Sequence, residues 1–259
     1  MFEKDGSVAW ITGAGRGIGR AISLRLAADG FSVAINDVDE GAIRSVQQEI
    51  EAAGGIAVGV PGDITNEVTV RNIVSNIVGT LGRLDVLIAN AGVIHVNAIM
   101  DTTLEDFERV YNVNVHGVFL CGREAGRQMM KQGGGKIINA ASTAGHEGSG
   151  DLVAYSSSKF AVVGMTQCMA KEFAAHGITV NAYCPGIVDT PMWDHIDEVR
   201  SGLMGMQTGA AREAALKNVP LGRQETPEDV SNLVSFLASS DSDYITGQAI
   251  QVCGGTYMQ

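Results

Sequence analysis

Short, continuously apolar segments alternate with longer amphipathic segments along almost the whole chain. A strand that is apolar on both faces is buried on both faces, as in a parallel sheet covered by helices. Parallel neighbours need helical crossovers, so the alternation predicts βαβ units and a doubly wound sheet. The predicted strands cover residues 8–12, 31–36, 56–60, 84–89, 136–141, 178–183 and 248–252, and the predicted helices cover 18–29, 40–53, 68–81, 104–131, 154–175 and 227–238.

The 259 residues fit one large α/β domain, because no repeat, low-complexity tract or Pro/Ser-rich linker divides them. We therefore predict a single Rossmann-type domain over residues 1–259, with about seven parallel strands and helices on both faces. Residues 190–212 interrupt the alternation just after the carboxyl end of a strand, where open α/β sheets bind ligands. This segment is a candidate substrate lid, and a surface excursion without a role is the alternative.

Composition excludes several classes of function. The net charge of -11 argues against a nucleic-acid binder, which needs clustered Lys and Arg. No apolar run reaches the length of about 18 residues expected of a membrane span, and the first residues lack the apolar core of a signal peptide. Four cysteines and five histidines show no metal-ligand spacing, so we expect no metal and a reduced, cytoplasmic protein.

A glycine-rich segment, residues 12–19, follows the first predicted strand and opens the first predicted helix. Glycines allow a tight turn, and the free N–H groups of a helix N-terminus favour an anion such as a pyrophosphate. The spacing is Gly-x-x-x-Gly-x-Gly and departs from the commoner Gly-x-Gly-x-x-Gly. We predict a phosphate cradle that consists of Gly13, Arg16, Gly17, Ile18 and Gly19.

Asp37 ends the second predicted strand, about 20 residues beyond the glycine segment. A carboxylate at this place accepts hydrogen bonds from the adenosine ribose and repels a 2′-phosphate, which favours NAD over NADP. Arg16 argues for NADP, because a guanidinium can pair with that phosphate. Asp37 could instead cap the helix that begins at Glu40. We expect NAD as the cofactor.

The motifs and their order resemble those of the short-chain dehydrogenases/reductases over essentially the whole chain. Residues 142–148 and 183–193 resemble the acetoin reductase/2,3-butanediol dehydrogenase branch, whereas Ala89 and Cys253 depart from the common family pattern. The resemblance implies a seven-stranded sheet and a homotetramer. It is carried by the glycine segment, Asp63, Asn90-Ala91-Gly92, Asn114, Ser142, Tyr155-Ser-Ser-Ser-Lys159 and Pro185-Gly186.

The resemblance also implies the reaction, in which an alcohol and a ketone interconvert by hydride transfer to or from a nicotinamide. Tyr155 would be the base, and Lys159 lies one helical turn further on the same face. An ammonium about 4 Å away suffices in magnitude to lower the phenol pKa by about three units. Ser142 would stabilise the substrate oxygen, and Asn114 would order a water for proton relay.

The family's cofactor contacts carry over onto matching positions. Asp63 and Ile64 would bracket the adenine, and Asn90, Ala91 and Gly92 would lie along the middle of the dinucleotide. The nicotinamide end would be held by Tyr155, Lys159, Pro185, Gly186, Val188 and Thr190.

The substrate is expected to be a small vicinal diol or hydroxyketone, or a sugar alcohol. It would lie among Ser142, Thr143, Tyr155 and Trp193, where an apolar wall meets a few polar groups. One alternative is a 3-oxoacyl-thioester (acyl-carrier-protein) reductase, but these usually prefer NADPH, which Asp37 opposes. Another is a non-catalytic NAD(H)-binding sensor on the same fold, which the complete catalytic set argues against.

Overall fold

The computed structural model of the chain describes residues 6–258, so the sequence-based expectation of no N-terminal leader concerns residues outside this range. Within it, seven parallel strands form one sheet in the order β3-β2-β1-β4-β5-β6-β7. The predicted Rossmann-type fold is confirmed. The strands are β1 (Val8–Thr12), β2 (Ser32–Asn36), β3 (Ala57–Gly59), β4 (Val86–Ala89), β5 (Gly135–Ala140), β6 (Ile178–Pro185) and β7 (Ala249–Val252).

Helical crossovers connect the strands and cover both faces of the sheet. They are α1 (Gly17–Ala28), α2 (Glu40–Ala52), α3 (Glu67–Leu81), α4 (Leu104–Tyr111), α5 (Val118–Gln132), α6 (Val153–Phe173), α7 (Pro191–Leu203), α8 (Ala210–Leu216) and α9 (Pro227–Ala238). Among the described residues, no helix combines the length and apolarity that crossing a membrane requires.

Each face of the sheet has its own hydrophobic core. Residues of α3, α5 and α6 pack on one face, and residues of α1, α2 and α9 pack on the other. Along β1, Val8 and Trp10 point into the first core, while Ala9 and Ile11 point into the second. This two-sided burial is the physical reason that the strand is apolar at every position.

The strand order reverses between β1 and β4, because β1 pairs with β2 on one side and with β4 on the other. The connections that leave these two strands run in opposite directions, and a crevice opens at their carboxyl ends. The glycine segment follows β1 and the Asn-Ala-Gly segment follows β4, so the fold brings both to this crevice.

Two stretches differ from the sequence-based expectation. The single helix predicted over residues 104–131 is α4 and α5 joined by a π-helical segment, Asn112–Gly117. The candidate lid contains two helices, α7 and α8. Helix α7 packs onto a small third cluster formed by Ile94, Val96, Leu152 and Ile196, which lies over the crevice opening.

Candidate active site

The glycine segment forms a tight loop against the end of β4. Gly13 has a φ of +61°, and a Cβ there would lie 2.8 Å from the Cα of Ala91. A Cβ at Gly19 would lie 2.2 Å from the carbonyl oxygen of Gly13, so α1 can start this close to the loop only with glycine. Arg16, the N-cap residue of α1, makes no side-chain cap. The first amides of α1 therefore stay available for an anion in the cleft.

Asn90 holds the loop in place. Its Nδ2 donates to the carbonyl oxygens of Thr12 (2.8 Å) and Gly13 (3.0 Å), and its backbone N–H and that of Ala91 donate to the Thr12 hydroxyl. The buried Tyr183 hydroxyl donates to Asn90 Oδ1 at 2.8 Å. Asn90 thus lines the cleft, but its side chain is fully used in fixing the loop. Sequence reasoning missed Tyr183, whose partner is distant in the chain.

Asp37 lies at the carboxyl end of β2 and faces the glycine loop. Its Oδ2 accepts from Gly15 N at 3.0 Å, and its Oδ1 accepts from Val38 N at 2.8 Å. The alternative interpretation of Asp37 as a helix cap is wrong, because Asp39 is the N-cap of α2. Asp37 and Val38 line the cleft together. The carboxylate is therefore held at the position where a ribose would bind.

Asp63 and Ile64 form the wall beyond Asp37. Asp63 Oδ1 accepts from Thr65 N at 2.8 Å, which fixes the turn before α3. Ile64 packs against Gly117 of the π-helical segment, where a Cβ would lie only 2.5 Å from the Ile64 Cδ1. Both residues line the same cleft as the glycine loop, as expected for an adenine site.

Tyr155, Lys159 and Ser142 come together at the opposite end of the cleft. Tyr155 and Lys159 lie one turn apart on α6, and the Lys159 Nζ is 5.5 Å from the centroid of the Tyr155 ring. The Ser142 side chain, just after β5, lies close enough to the Tyr155 hydroxyl to lower its pKa. Lys159 Nζ donates to the carbonyl oxygen of Ala140 at 2.6 Å, and Ser142 Oγ accepts from Ala144 N at 3.1 Å.

Burial controls the ionisation of this group. It raises the pKa of Tyr155 to about 12, although the neighbouring Ser142 hydroxyl acts in the opposite direction. It also lowers the pKa of Lys159 to about 8. The acidification of the phenol by Lys159 stays a prediction for the site that holds the oxidised nicotinamide. Without that charge the ammonium is itself desolvated and donates to the Ala140 carbonyl instead of the phenol.

Asn114 lies behind the cleft, in the π-helical segment. Its Oδ1 accepts from Val93 N at 2.9 Å, and its Nδ2 donates to Val93 O and to Ser158 Oγ, both at 3.0 Å. Ser158 in turn donates to the Tyr155 carbonyl oxygen at 2.7 Å. A Cβ at Gly92 would lie 3.3 Å from Asn114 Oδ1 and 3.6 Å from Lys159 Nζ. Asn114 therefore links the segment after β4 to α6 and approaches Lys159 behind Gly92.

The remaining wall of the cleft follows β6. Pro185, Gly186, Val188 and Thr190 all line it. Thr190 reaches the glycine loop, because a Cβ at Gly17 would lie 3.4 Å from the Thr190 Cγ2. The wall that follows β6 and the glycine loop therefore approach each other at Thr190 and Gly17. The Gly186 N–H donates to Glu225 Oε2 at 2.8 Å, a contact between distant segments that sequence reasoning missed.

Trp193 on α7 stands over the catalytic end of the cleft. Its indole N–H donates to the carbonyl oxygen of Gly186 at 3.4 Å, and the Arg200 guanidinium carbon lies 6.0 Å from the ring centroid. Arg200 forms a two-point ion pair with Asp151, at 2.5 and 2.8 Å, just before α6. Thr143 lines the same end of the cleft. The four residues expected around the substrate are therefore close to one another, and Arg200 and Asp151 are additions.

The cleft has a volume of about 980 Å³, within the range of sites that enclose a cofactor or ligand. It runs from the free amides of α1, past the Asp37 carboxylate, to Tyr155. The two loop glycines, Gly13 and Gly19, leave no room for a Cβ. This donor set suits a nicotinamide dinucleotide, with its pyrophosphate on α1 and a ribose at Asp37. All the predicted cofactor and substrate residues line the cleft.

Comparison with known proteins gives the family. A family model described as short chain dehydrogenase matches residues 7–201. The chain is 47% identical to a short-chain dehydrogenase/reductase from Armillaria gallica, over 97% of this chain and 96% of that protein. It is 45% identical to a diacetyl reductase, (S)-acetoin forming, from Staphylococcus epidermidis, over 95% of this chain and 97% of the other. An L-2,3-butanediol dehydrogenase from Corynebacterium glutamicum is also 45% identical, over 96% and 97%.

A solved short-chain type dehydrogenase/reductase from Mycobacterium marinum superimposes with a TM-score of 0.90 at 36% identity, over 99% of this chain and 98% of that one. The resemblance inferred from the motifs, including its acetoin reductase branch, is confirmed by these relatives. A nicotinamide cofactor and a small-molecule substrate follow from the family and the fold. The chain is an oxidoreductase and belongs to the short-chain dehydrogenase family.

Proposed function

We propose that the protein is an NAD(H)-dependent dehydrogenase that interconverts a small vicinal diol and its hydroxyketone, of the acetoin and 2,3-butanediol type. The observation that carries the proposal is the meeting of Tyr155, Ser142 and Trp193 at one end of a cleft whose other end holds Asp37. The relatives named diacetyl reductase and L-2,3-butanediol dehydrogenase support the substrate class.

The catalytic roles follow from the contacts of each side chain. Tyr155 would exchange a proton with the substrate oxygen, and Ser142 would donate a hydrogen bond to that oxygen as its charge develops. Lys159 would carry the proton away from the phenol, with a water that Asn114, on the far side of Gly92, would order beside it. When bound, the nicotinamide supplies the hydride acceptor or donor and, in its oxidised form, a positive charge.

Asp37 supports the choice of NAD. Its carboxylate is fixed by Gly15 and Val38, so it cannot turn away from a 2′-phosphate without losing both hydrogen bonds. We expect kcat/KM with NADH to exceed that with NADPH by about a hundredfold. In Asp37→Ser this ratio should fall by at least about tenfold. An equal preference in the wild-type protein would contradict the proposal.

Trp193 supports a small substrate, because the lid helix α7 places its ring across the catalytic end of the cleft. We propose that α7 and α8 form a lid over this end. A panel of diols, polyols, acetoin and a 3-oxoacyl thioester, followed by NADH absorbance, tests the substrate class. We expect the highest kcat/KM for four-carbon diols and hydroxyketones, and faster turnover of the thioester would favour the acyl reductase alternative.

The variant Trp193→Ala tests whether the indole ring forms a wall of the substrate site or only packs the proposed lid. If the ring forms the wall, kcat/KM for the small diol falls about tenfold or more, whereas the Kd for NADH changes less than about twofold. Phe236→Ala, an exposed aromatic change on α9, is the matched control. Equal losses in diol turnover and in NADH binding would show that Trp193 only packs the lid.

We further propose that the protein assembles as a homotetramer. Large apolar side chains are exposed on three helices, with Leu104 on α4 exposed by 71%, Phe119 on α5 by 44% and Phe160 on α6 by 47%. Exposed apolar side chains of this size are typical of association surfaces.

A further inference from the structure

Glu225 is a buried carboxyl that the proposed mechanism does not use. It lies in the turn before α9 and is only 8% exposed. Its Oε2 accepts a hydrogen bond of 2.8 Å from the backbone N–H of Gly186. Gly186 belongs to the wall that follows β6, at the catalytic end of the cleft. A side chain from a distant part of the sequence therefore holds a backbone group of the proposed nicotinamide site.

Two backbone hydrogen bonds reinforce this contact. Glu225 N donates to Ile187 O at 3.0 Å, and Asp189 N donates to Glu225 O at 2.9 Å. Val188 and Glu225 consequently form an isolated parallel bridge. The Glu225 side chain extends this bridge by one further hydrogen bond, at Gly186. Together the three hydrogen bonds fix the path of the chain between Pro185 and Thr190.

The carboxyl is kept at this place against a desolvation penalty. Burial raises the pKa of Glu225 to about 8, with Asp229 acting in the same direction, whereas the hydrogen bond from the Gly186 N–H and the nearby cation Arg223 act in the opposite direction. Arg223 binds Asp229 through two hydrogen bonds of 2.6 and 2.8 Å and so does not pair with Glu225. The Glu225 Oε1 has no protein partner among residues 6–258 and borders a second cavity of about 370 Å³.

We propose that Glu225 is a positioning residue, which holds the Gly186 N–H and thereby shapes the wall that receives the nicotinamide half of the cofactor. The inference rests on the proposed cofactor site. Removing this acceptor would leave the buried Gly186 N–H with only its longer bond to Val252 O, at 3.1 Å, and would let residues 186–190 move. Asp37 lies at the other end of the cleft and is held by Gly15 and Val38, without Glu225. Of the segment that would move, Thr190 lies beside Gly17 of the pyrophosphate cradle, which NADH and ADP share. Loss of the Glu225 contact should therefore weaken the binding of ligands that carry a nicotinamide more than the binding of ADP.

The experiment compares NADH with ADP, which carries only the adenine half. Dissociation constants are measured by calorimetry for the wild type, for Glu225→Met, which removes the acceptor and keeps the length, and for Glu225→Gln, which keeps an acceptor. Glu228→Met, an exposed acid on the same turn, is the matched control. We expect Glu225→Met to raise the Kd for NADH about tenfold and that for ADP less than twofold, with Glu225→Gln within threefold of wild type.

Four results would overturn the inference. NADH and ADP affinities that fall together indicate a structural role, and so does a failure to fold of both Glu225→Met and a second acceptor-free variant, Glu225→Ala. An unchanged Kd for NADH in a folded Glu225→Met shows that the contact does not matter for the cofactor. A wild-type protein that binds ADP but neither NADH nor NADPH would instead reject the proposed function, and the inference with it.

Discussion

Lys159 is a cation that the fold keeps almost completely away from water. Burial lowers its pKa from 10.5 to about 8, so between these values the unfolded chain binds more protons than the folded one. The contribution of Lys159 to stability should therefore grow as the pH rises from 8 to about 10.5, whereas the raised pKa of the buried Cys184 thiol acts in the opposite direction above pH 9. Below pH 8 the buried charge is fully present and opposes folding.

Lys159→Met removes this charge and keeps the volume of the side chain. We expect the variant to be inactive but more stable than wild type at pH 7, by about 1–3 kcal/mol in the free energy of unfolding, with the difference shrinking toward pH 10. Urea unfolding at both pH values measures it. Lys171→Met, an exposed change on the same helix, should be neutral. A variant less stable than wild type at pH 7 would show that the bond to Ala140 outweighs desolvation.

The sequence predicted those site residues whose chemistry is local. Gly13 and Gly19 were identified because a tight loop at a helix start requires glycine, and Tyr155 with Lys159 because helical spacing brings them to one face. Tyr183, Ser158 and Glu225 were missed, since their roles depend on partners at least 39 residues away in the chain, which no short motif encodes. The bond of the ammonium to the Ala140 carbonyl was also missed, because burial of the ammonium cannot be inferred from spacing.

At the level of elements, a hydrophobic pattern failed to reveal a break within a helix. The apolar residues of 104–131 follow the period of a single α-helix, but a π-helical segment at Asn112–Gly117 inserts an extra residue between α4 and α5. Asn114 is thereby placed against Val93 and behind Gly92. Such bulges are frequent at functional sites, and a hydrophobic period is too coarse to reveal one. The two helices of the proposed lid, α7 and α8, were missed because Gly202, Gly205 and Gly209 interrupt their apolar pattern.

Helix α7 is tied to the start of α6 by the ion pair between Arg200 and Asp151, and Ser149 adds a third hydrogen bond at 3.2 Å. Arg200→Met would loosen α7 and therefore the Trp193 ring. We expect the KM of the diol to rise about three- to tenfold, with kcat and the Kd for NADH changed less than twofold. Steady-state kinetics and calorimetry measure these quantities.

Lys217→Met on α8 is the control for the Arg200 variant, because it removes an exposed ion pair with Glu213 from the same proposed lid. Its KM should match the wild-type value. If the two variants behave alike, or if Arg200→Met weakens NADH binding as strongly as diol binding, the ion pair does not position the substrate wall.

For the whole molecule, the proposed tetramer gives a direct expectation. Light scattering coupled to size exclusion should return the mass of four chains. The double change Phe119→Glu and Phe160→Glu should reduce this mass, because burying two carboxylates in an apolar interface is unfavourable. Ile56→Glu, at an exposed apolar position near β3, should leave it unchanged. A wild-type monomer would contradict the proposal.

The global fold was predicted well because it depends on patterns that repeat along the chain. Seven strands apolar on both faces, with a helix after almost every one, allow few topologies once crossovers are right-handed. The strand order places Asp37 and Tyr155 at opposite ends of one crevice, although they belong to different crossovers. Their meeting in one cleft is a property of the assembled sheet.

The central claim is that Tyr155 performs the proton transfer that accompanies hydride exchange between a bound nicotinamide and a small alcohol. The most direct test is the NADH-linked reduction of acetoin or diacetyl by wild type and Tyr155→Phe, measured beside the Kd for NADH. The account predicts turnover by the wild type, a loss of at least about a hundredfold in kcat for Tyr155→Phe, and NADH binding within threefold. A Tyr155→Phe enzyme that turns over at the wild-type rate would contradict it.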